Sequence, residues 1–409
     1  MTTAWVRGAC PSLSAPMPTG DGLLVRLTPR SGALTRAQLA GIAVAANRFG
    51  NGAIEITGRG SLQIRGLSER TVEGFGHAVD MLGIAAEKAP EIRIGPLAGR
   101  AANVIADPRP LADALRRAIE ARGLAARLAP KVSVVVDGGG APTLASVAAD
   151  VRLEAQRDGP WCVRIGRDGT VAVPLGQGRA HEAVAVATAL LELLANTSPQ
   201  ARARDLDPGD WSKLTSSLAP AAEERRAASA SPVGTFTLND GTVARGFALP
   251  FGQIEATSLG AFARALDAAI EIRLAPARGL LVLGLTRGES DRVRQLAATH
   301  GLVTDPDDLR LRIAACAGAP ACASARLPTK AIAQSVVELR PDLLAALPAL
   351  HISGCGKQCA RPSGPSLSLV GGPDGPEIVD AGADASETIR AFLTALAVGP
   401  AGTRKRRHA

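Results

Sequence analysis

Tyrosine is absent from this sequence, and Phe and Trp together make up only 2% of its 409 residues. Stacking platforms for bases cannot be built in number, so no nucleic-acid partner is expected. No apolar run reaches the roughly eighteen residues a membrane-spanning helix needs, and no membrane partner is expected either. The opening "MTTAWVRGACPSLSAPM" lacks the charged-then-apolar order of a secretory signal, which makes the cytoplasm the expected compartment. Cysteine is scarce, with six in the chain. In a reducing compartment, paired cysteines read as metal ligands or redox groups rather than disulfides.

What is present is small and aliphatic. Hydrophobic residues reach 46%, so sizeable cores must be built from Ala, Leu, Val and Ile. The length predicts two to four folding units. The net charge is +8, from 46 basic and 38 acidic residues. Part of it sits in the tail "TRKRRHA", read as a solvated end. The remainder suits an anionic partner, and a small polycarboxylate fits as well as any.

Along the chain, "LLVRL" alternates like a strand and "LTRAQLAGIAVAANRFG" carries a helical apolar stripe. "AIEIT" and "SLQIRGL" then alternate again. Thr35 is the expected helix cap, and Gly50 or Gly52 the stop. The same order returns at 247–285, where "AIEI" recurs and "LLVLGL" echoes "LQIRGL". This is an internal repeat, and its natural reading is a duplicated chain about a pseudo-twofold axis. The expected units are 1–75 (N-terminal segment and first half-domain), 76–200 (a mixed α/β domain) and 201–232 (a linker). They are followed by 233–290 (second half-domain), 291–402 (a second mixed domain) and 403–409 (a basic tail).

Four of the six cysteines fall in two short Gly- and Ala-rich stretches, "ACAGAPACASA" and "GCGKQCARPSG". Cys316 and Cys322 are spaced C-x5-C, and Cys355 and Cys359 are spaced C-x3-C. Four thiolates are what a [4Fe–4S] cluster needs, and small neighbours let the backbone wrap closely around one. On spacing alone, a structural zinc site and buried inert cysteines stay open.

This pair of spacings resembles the nitrite/sulfite reductase family. The match continues through "HISGCGKQCARPSGPSLSLVGG" and through "IEITGRGSLQIRGL", where Thr57, Arg59, Gln63 and Arg65 fall on motif positions. The resemblance implies an α+β fold with two ferredoxin-like half-domains and two mixed α/β domains about a pseudo-twofold. It also implies a [4Fe–4S] cluster on the four cysteines beside sirohaem. The oxyanion-reducing members use four cations. Arg26 and Lys131 fall on two of these positions, but Ala102 (beside Asn103) and Ser133 occupy the others, and Lys357 stands where Asn is usual. A sirohaem-dependent sulfite or nitrite reductase is therefore the alternative reading.

The opening "RGACPSLSAPMPTGDGLLVRL" and "GCGKQC" are more similar to the branch of this family that works in aerobic cobalamin synthesis. Its substrate, precorrin-3A, is a methylated tetrapyrrole rimmed with carboxylates. The function this implies is O2-dependent hydroxylation at C20 with γ-lactone formation. Electrons would come through the cluster, ultimately from NADH by way of a reductase or ferredoxin partner. Arg26, Thr57, Arg59, Gln63, Arg65, Asn103, Lys131 and Lys357 are the expected substrate-binding residues. Arg59 and Arg65 would form forked bonds to rim carboxylates. Each of these cations also has a plain reading as a solvated strand-edge charge. The branch is associated with a mononuclear non-haem iron too, and His351 is the nearest candidate ligand, though a lone His on an alternating strand is usually structural. Cys162 reads as core, and Cys10 as a small hydrophobe or a residue near the substrate. "TVAVPLGQGRAHEAVAVA" has His181 where a dinucleotide fingerprint needs its third glycine, so no nucleotide site is expected in this chain.

Overall fold

The computed structural model describes residues 11–87, 89–167, 172–221, 231–362, 364–381 and 387–398. Cys10, the hairpin tip expected at 168–169 and the basic tail lie outside these residues. The first half-domain comprises β1 (Met17–Thr19), β2 (Gly22–Leu27), β3 (Ala33–Thr35), α1 (Arg36–Phe49), β4 (Ala53–Ile56), β5 (Leu62–Leu67) and α2 (Val72–Met81). Thr35 caps α1 as expected. Its hydroxyl accepts from the Gln38 N–H at 3.1 Å, and its own N–H donates to Gln38 Oε1 at 2.9 Å.

The first mixed domain has β6 (Glu91–Ile94), α3 (Arg109–Ala121), β7 (Ser133–Asp137), β8 (Val151–Ala155), β9 (Trp161–Gly166), β10 (Ala172–Gly178), α4 (Ala180–Thr197) and the single turn α5 (Pro208–Trp211). Residues 201–219 of the expected linker belong to this domain instead. Ala201, Ala203, Leu206 and Trp211 are buried in its core, and Ala219 exchanges backbone bonds with Gln177 of β10. A charged, Ala/Ser-rich composition concealed these few anchoring apolar side chains.

The second half-domain has β11 (Gly234–Thr237), β12 (Val243–Ala248), β13 (Gln253–Glu255), α6 (Ala256–Ala265), β14 (Glu271–Ala275), β15 (Gly279–Leu285) and α7 (Arg287–Thr299). Helix α7 buries Val293 and Ala297 in the half-domain core, and Val303 pairs with Ala248, so this unit runs past the expected boundary at 290. The last domain has β16 (Ile313–Ala315), α8 (Thr329–Leu339), α9 (Pro341–Ala345), β17 (Leu350–Ser353), β18 (Ser366–Gly371), β19 (Pro376–Ala381) and α10 (Glu387–Val398).

The two half-domains exchange strands. One sheet is ordered β1-β2-β5-β4-β13 and the other β11-β12-β15-β14-β3, so each half completes the other's sheet. The partners set the repeat: β13 places Ile254 opposite Ile54, and β3 places Leu34 opposite Ile272. Ile54 therefore corresponds to Ile272, two residues beyond the literal "AIEI" echo. A two-residue slip preserves which face each side chain takes, so alternation alone could not detect it. Both sheets bury one face in a shared core, with Ile42 and Ala46 of α1 and Leu259 and Phe262 of α6 among its residues.

The mixed domains are duplicated too. β6, β7 and β8 run parallel with β9 antiparallel, and β16, β17 and β18 run parallel with β19 antiparallel. The loops after β16 and β17 carry the four cysteines. The corresponding loops after β6 and β7 (95–108 and 138–150) carry none.

Candidate functional site

Parallel strands leave β16 and β17 side by side, so the loops that follow them start as neighbours. The Cys316 N–H donates to Ile352 O at 3.1 Å, and the Thr329 hydroxyl donates to Cys316 O at 2.6 Å. The Gly354 N–H donates to Cys316 Sγ at 3.2 Å, and Arg326 N–H donates back to Gly354 O at 2.6 Å. Lys357 Nζ donates to Ser324 Oγ at 3.0 Å, tying the second loop to the first. Glycine is required where the loops touch. A Cβ on Gly354 would sit 2.5 Å from the Cβ of Ala325, and Gly318 adopts φ +68°.

Cys355 is buried, Cys316 and Cys322 are half-buried and Cys359 is exposed. Burial pushes the Cys359 thiol up, and the charges of Cys355, Cys316 and Cys322 push it further, against the pull of Lys357. The four thiols therefore share one electrostatic neighbourhood. Among the described residues no group of three or more His, Cys, Asp or Glu side chains could hold a metal ion. Four cysteines on close-packed small loops, with an N–H aimed at a sulfur, fit the donor chemistry of an iron–sulfur cluster, whose ligands are spread over several irons.

The first half-domain clamps this assembly. The turn between β1 and β2 lies against the first cysteine loop, where a Cβ on Gly20 would meet Pro320 O at 2.5 Å and Ala323 N at 2.7 Å. Next to it, Asp21 takes a fork from Arg65, with Nε to Oδ2 at 3.0 Å and Nη2 to Oδ1 at 2.9 Å. Arg65 Nη2 also donates to the carbonyl of Ala321, between the first two cysteines. Burial works against both charges. Even so, Arg65 and Thr19 hold the Asp21 carboxyl below its usual range, and Asp21 and Glu55 hold Arg65 above its own. Glu55 Oε2 lies 3.6 Å from Arg65 Nη1. With its amide oxygen turned toward Arg26, Gln63 accepts from Arg26 Nη2 and donates to Glu55 Oε2, each at 2.9 Å. Arg26, Gln63, Glu55, Arg65 and Asp21 thus form a polar ladder on the sheet face opposite the shared core. In the second half-domain, Leu281 and Leu283 occupy the places of Gln63 and Arg65 and pack on Leu97 and Ala101 of the first mixed domain. One of the two pseudo-equivalent faces is closed by apolar packing and the other is polar.

A second group of cations gathers where the first half-domain meets the first mixed domain. Arg59 donates to Ala148 O at 2.8 Å and lies 3.6 Å from Glu91. Arg93 donates to Ser61 Oγ at 2.6 Å and pairs with Glu91. Burial, reinforced by Arg59 and Arg26 against Glu91, lowers Arg93 to about 10.

Comparison with known proteins bears directly on this arrangement. Residues 15–80 match the family model of the nitrite/sulfite reductase ferredoxin-like half domain. A curated protein of Sinorhizobium sp, named precorrin-3B synthase, is 42% identical over 386 residues, covering 92% of this chain and 83% of its own. The chain belongs to the precorrin-3B synthase branch of the nitrite/sulfite reductase family. Among solved structures, the NirA protein of Mycobacterium tuberculosis shares the fold. It has a TM-score of 0.73 at 20% identity, over 89% of this chain and 76% of that one. The duplicated α+β architecture expected from the sequence is thus the architecture found.

Against that family pattern, the expected residues fall in different surroundings. Arg26, Gln63 and Arg65 share the ladder, but the Arg65 fork expected for a rim carboxylate holds Asp21, so here it braces the cysteine loop. The Thr57 hydroxyl accepts from Ser61 N–H at 3.1 Å and shapes the tip between β4 and β5. Lys131 is exposed at the start of β7, whereas Asn103 is exposed on the loop leaving the far end of β6, at the other end of the parallel strands. His351 is fully buried on β17, with Nδ1 3.0 Å from Ser368 Oγ and Nε2 without a partner. Burial first, then Arg361 and Arg278, lower it to about 4. Cys162 is core, as expected.

Sequence reasoning missed Asp21, Arg93, Arg278 and Lys330. "TGDG" could have flagged Asp21 as a turn acid between glycines, but the other three lie in no recognisable local pattern. Lys330 Nζ donates to the Phe251 carbonyl. Burial lowers it to about 8, with Glu55 and Cys316 opposing and Arg278 and Arg65 reinforcing. A cavity of about 350 Å3 lined by Arg30, Glu87, Arg116 and Glu120 opens where the first half-domain meets the first mixed domain.

Proposed function

We propose that this protein is an oxidoreductase acting on an acid-rimmed tetrapyrrole, converting precorrin-3A to precorrin-3B in cobalamin synthesis. The observation that carries this reading is the joining of the four-cysteine loops to the polar face of the first half-sheet, through Gly20, Asp21 and Arg65. The 42% identical relative, named for that reaction, supports it.

In this reading Cys316, Cys322, Cys355 and Cys359 hold a [4Fe–4S] cluster. Such a cluster, when bound, passes electrons singly, which stepwise reduction of O2 requires. The remaining work belongs to the chain. Arg26, Arg59 and Lys131 attract and orient rim carboxylates, and Arg93 adds to the field that draws them. Thr57 and Gln63 set the geometry of the strands beneath, and Asn103, at the opposite end of the parallel strands from Lys131, is assigned to another part of the ring's rim. Arg65 and Asp21 hold the first cysteine loop against this surface, and Lys357 spans the two loops. The oxygen of the new C20 hydroxyl comes from O2, and a ring-A acetate closes the γ-lactone. The electrons originate with NADH and arrive through a reductase or ferredoxin. A mononuclear iron would need further ligands. Buried His351 offers one nitrogen and no carboxylate beside it among the described residues.

The alternative, sirohaem-dependent sulfite or nitrite reduction, is disfavoured by Ala102 and Ser133, since each missing donor to an oxyanion can lower rate by about 3 kcal/mol of barrier. The test is anaerobically purified protein given precorrin-3A, reductant and 18O2. One labelled oxygen in the lactone-bearing product supports the reading. Unlabelled product, or sirohaem bands with sulfite turnover, would overturn it.

A further inference from the structure

The pseudo-twofold axis relates the β4–β5 hairpin to the β14–β15 hairpin, and each tip carries one arginine. The tips touch: Ala277 N–H donates to Gly58 O at 2.9 Å. On the first tip, Arg59 leans on the first mixed domain, where Glu91 of β6 supplies a carboxylate at 3.6 Å. On the second tip, Arg278 leans toward the last domain. There β16, the counterpart of β6, reads Ile-Ala-Ala and offers no acid. Arg278 is half-buried, and its guanidinium makes no hydrogen bond or ion pair among the described residues. A half-buried guanidinium that still reaches water and has no partner is free to meet an incoming anion with charge-assisted bonds.

Its surroundings hold it in place rather than neutralise it. Ala277 and Arg278 both take left-handed backbone, with φ +56° and +64°, a conformation that disfavours side chains and collects at functional sites. Leu249 N–H fixes the Arg278 carbonyl at 3.1 Å. The stem lies on Gly252, where any Cβ would come within 2.5 Å of Arg278 Cδ. Among the described residues Glu55 is the carboxylate whose charge reaches Arg278, and it already faces Arg65 and Gln63. Lys330 and His351 feel the Arg278 charge as well, and Lys330 in turn feels Cys316. An unneutralised guanidinium therefore stands between the polar ladder and the cysteine loops.

We propose that Arg278 anchors a carboxylate of the macrocyclic substrate between the polar ladder and the cysteine loops, and so fixes which edge of the ring faces the thiols. This rests on the tetrapyrrole reading above. Arg278 is a specificity-determining residue, and nothing in the proposal requires it to touch the reacting carbon.

The test titrates the holoprotein anaerobically with precorrin-3A, without reductant, and compares wild type with Arg278→Gln, Arg278→Lys and Arg292→Gln. Charge-assisted bonds of this kind predict a tenfold to hundredfold weaker Kd for Arg278→Gln, to order of magnitude. Arg278→Lys should recover part of the loss, because it restores charge without the fork. Arg292, exposed on α7, should leave Kd unchanged. In turnover, KM should rise more than kcat falls. Arg278→Gln with wild-type Kd and intact cluster absorbance overturns the anchoring role while leaving the tetrapyrrole reading standing. Wild-type protein that does not bind precorrin-3A at all overturns both. If Arg278→Gln fails to fold, Arg278→Lys decides, and wild-type Kd in that variant refutes forked recognition.

Discussion

Replacing Arg65 by methionine should destabilise the protein by about 3–5 kcal/mol at neutral pH, the range for breaking a buried pair by removing one partner. The Arg65 side chain is only 4% exposed, and it serves Asp21 through two bonds at 3.0 and 2.9 Å and Glu55 at 3.6 Å. Without it two carboxylates stay in the interface, hydrogen-bonded among the described side chains only by the neutral donors Thr19, Asn51 and Gln63. The double variant Arg65→Met with Asp21→Asn should lose clearly less, since it leaves one fewer unpaired charge. The pH dependence has a definite sign. In wild type the depressed Asp21 carboxyl contributes stability above its ordinary value of 3.8, and this is lost as pH falls through the lower folded value. In Arg65→Met that carboxyl is no longer held down, so the deficit should be greatest at neutral pH and shrink toward acid. Urea unfolding followed by far-UV circular dichroism at several pH values measures both effects. A deficit under about 1 kcal/mol at pH 7, or one independent of pH, would refute the claim that this pair clamps the cysteine loop.

Other consequences can be checked with single variants. His351 has its pKa depressed to about 4 by burial, so it contributes stability above its ordinary 6.5 that is lost as pH falls toward 4. The loss approaches about 3 kcal/mol, and His351→Gln should flatten that part of the urea-midpoint profile. Gly354→Ala places a Cβ 2.5 Å from that of Ala325 and should lower bound iron and sulfide, with little change in helix content by circular dichroism. Gly20→Ala should do the same from the opposite side of the interface, through its contacts with Pro320 and Ala323, read by the same iron assay. Lys357→Gln removes a positive charge beside the cysteines and should make the cluster harder to reduce, seen in a redox titration as a more negative potential. An unchanged potential would mean Lys357 serves only Ser324.

The legible parts of this chain were those with local physics. Alternation showed the strands around Ile54 and Ile64, the cap at Thr35 began α1 where expected, and the two cysteine spacings matched two loops that prove to be neighbours. The exchange of β3 and β13 between half-domains was invisible, because three-residue strands carry no period of their own. The first part of the linker expected at 201–232 was misread because Leu206 and Trp211 anchor it through a handful of apolar contacts. Arg65 shows the same limit at the site. Its motif position was evident, but its partner, Asp21, lies forty-four residues earlier and is brought to it only by the pairing of β2 with β5. Arg278 and Lys330 escaped notice because what marks them is the carboxylate missing from β16, a property of packing across the pseudo-twofold.

The central claim is that Cys316, Cys322, Cys355 and Cys359 together hold an iron–sulfur cluster. It is tested most directly by iron and acid-labile sulfide analysis, with electron paramagnetic resonance of the reduced form, on anaerobically purified wild type and on each Cys→Ala variant. About four iron and four sulfide per wild-type chain, with the signal lost or altered in every variant, is the predicted result. Zinc in place of iron, or a variant at any of the four positions with full iron content and an unchanged signal, would contradict it.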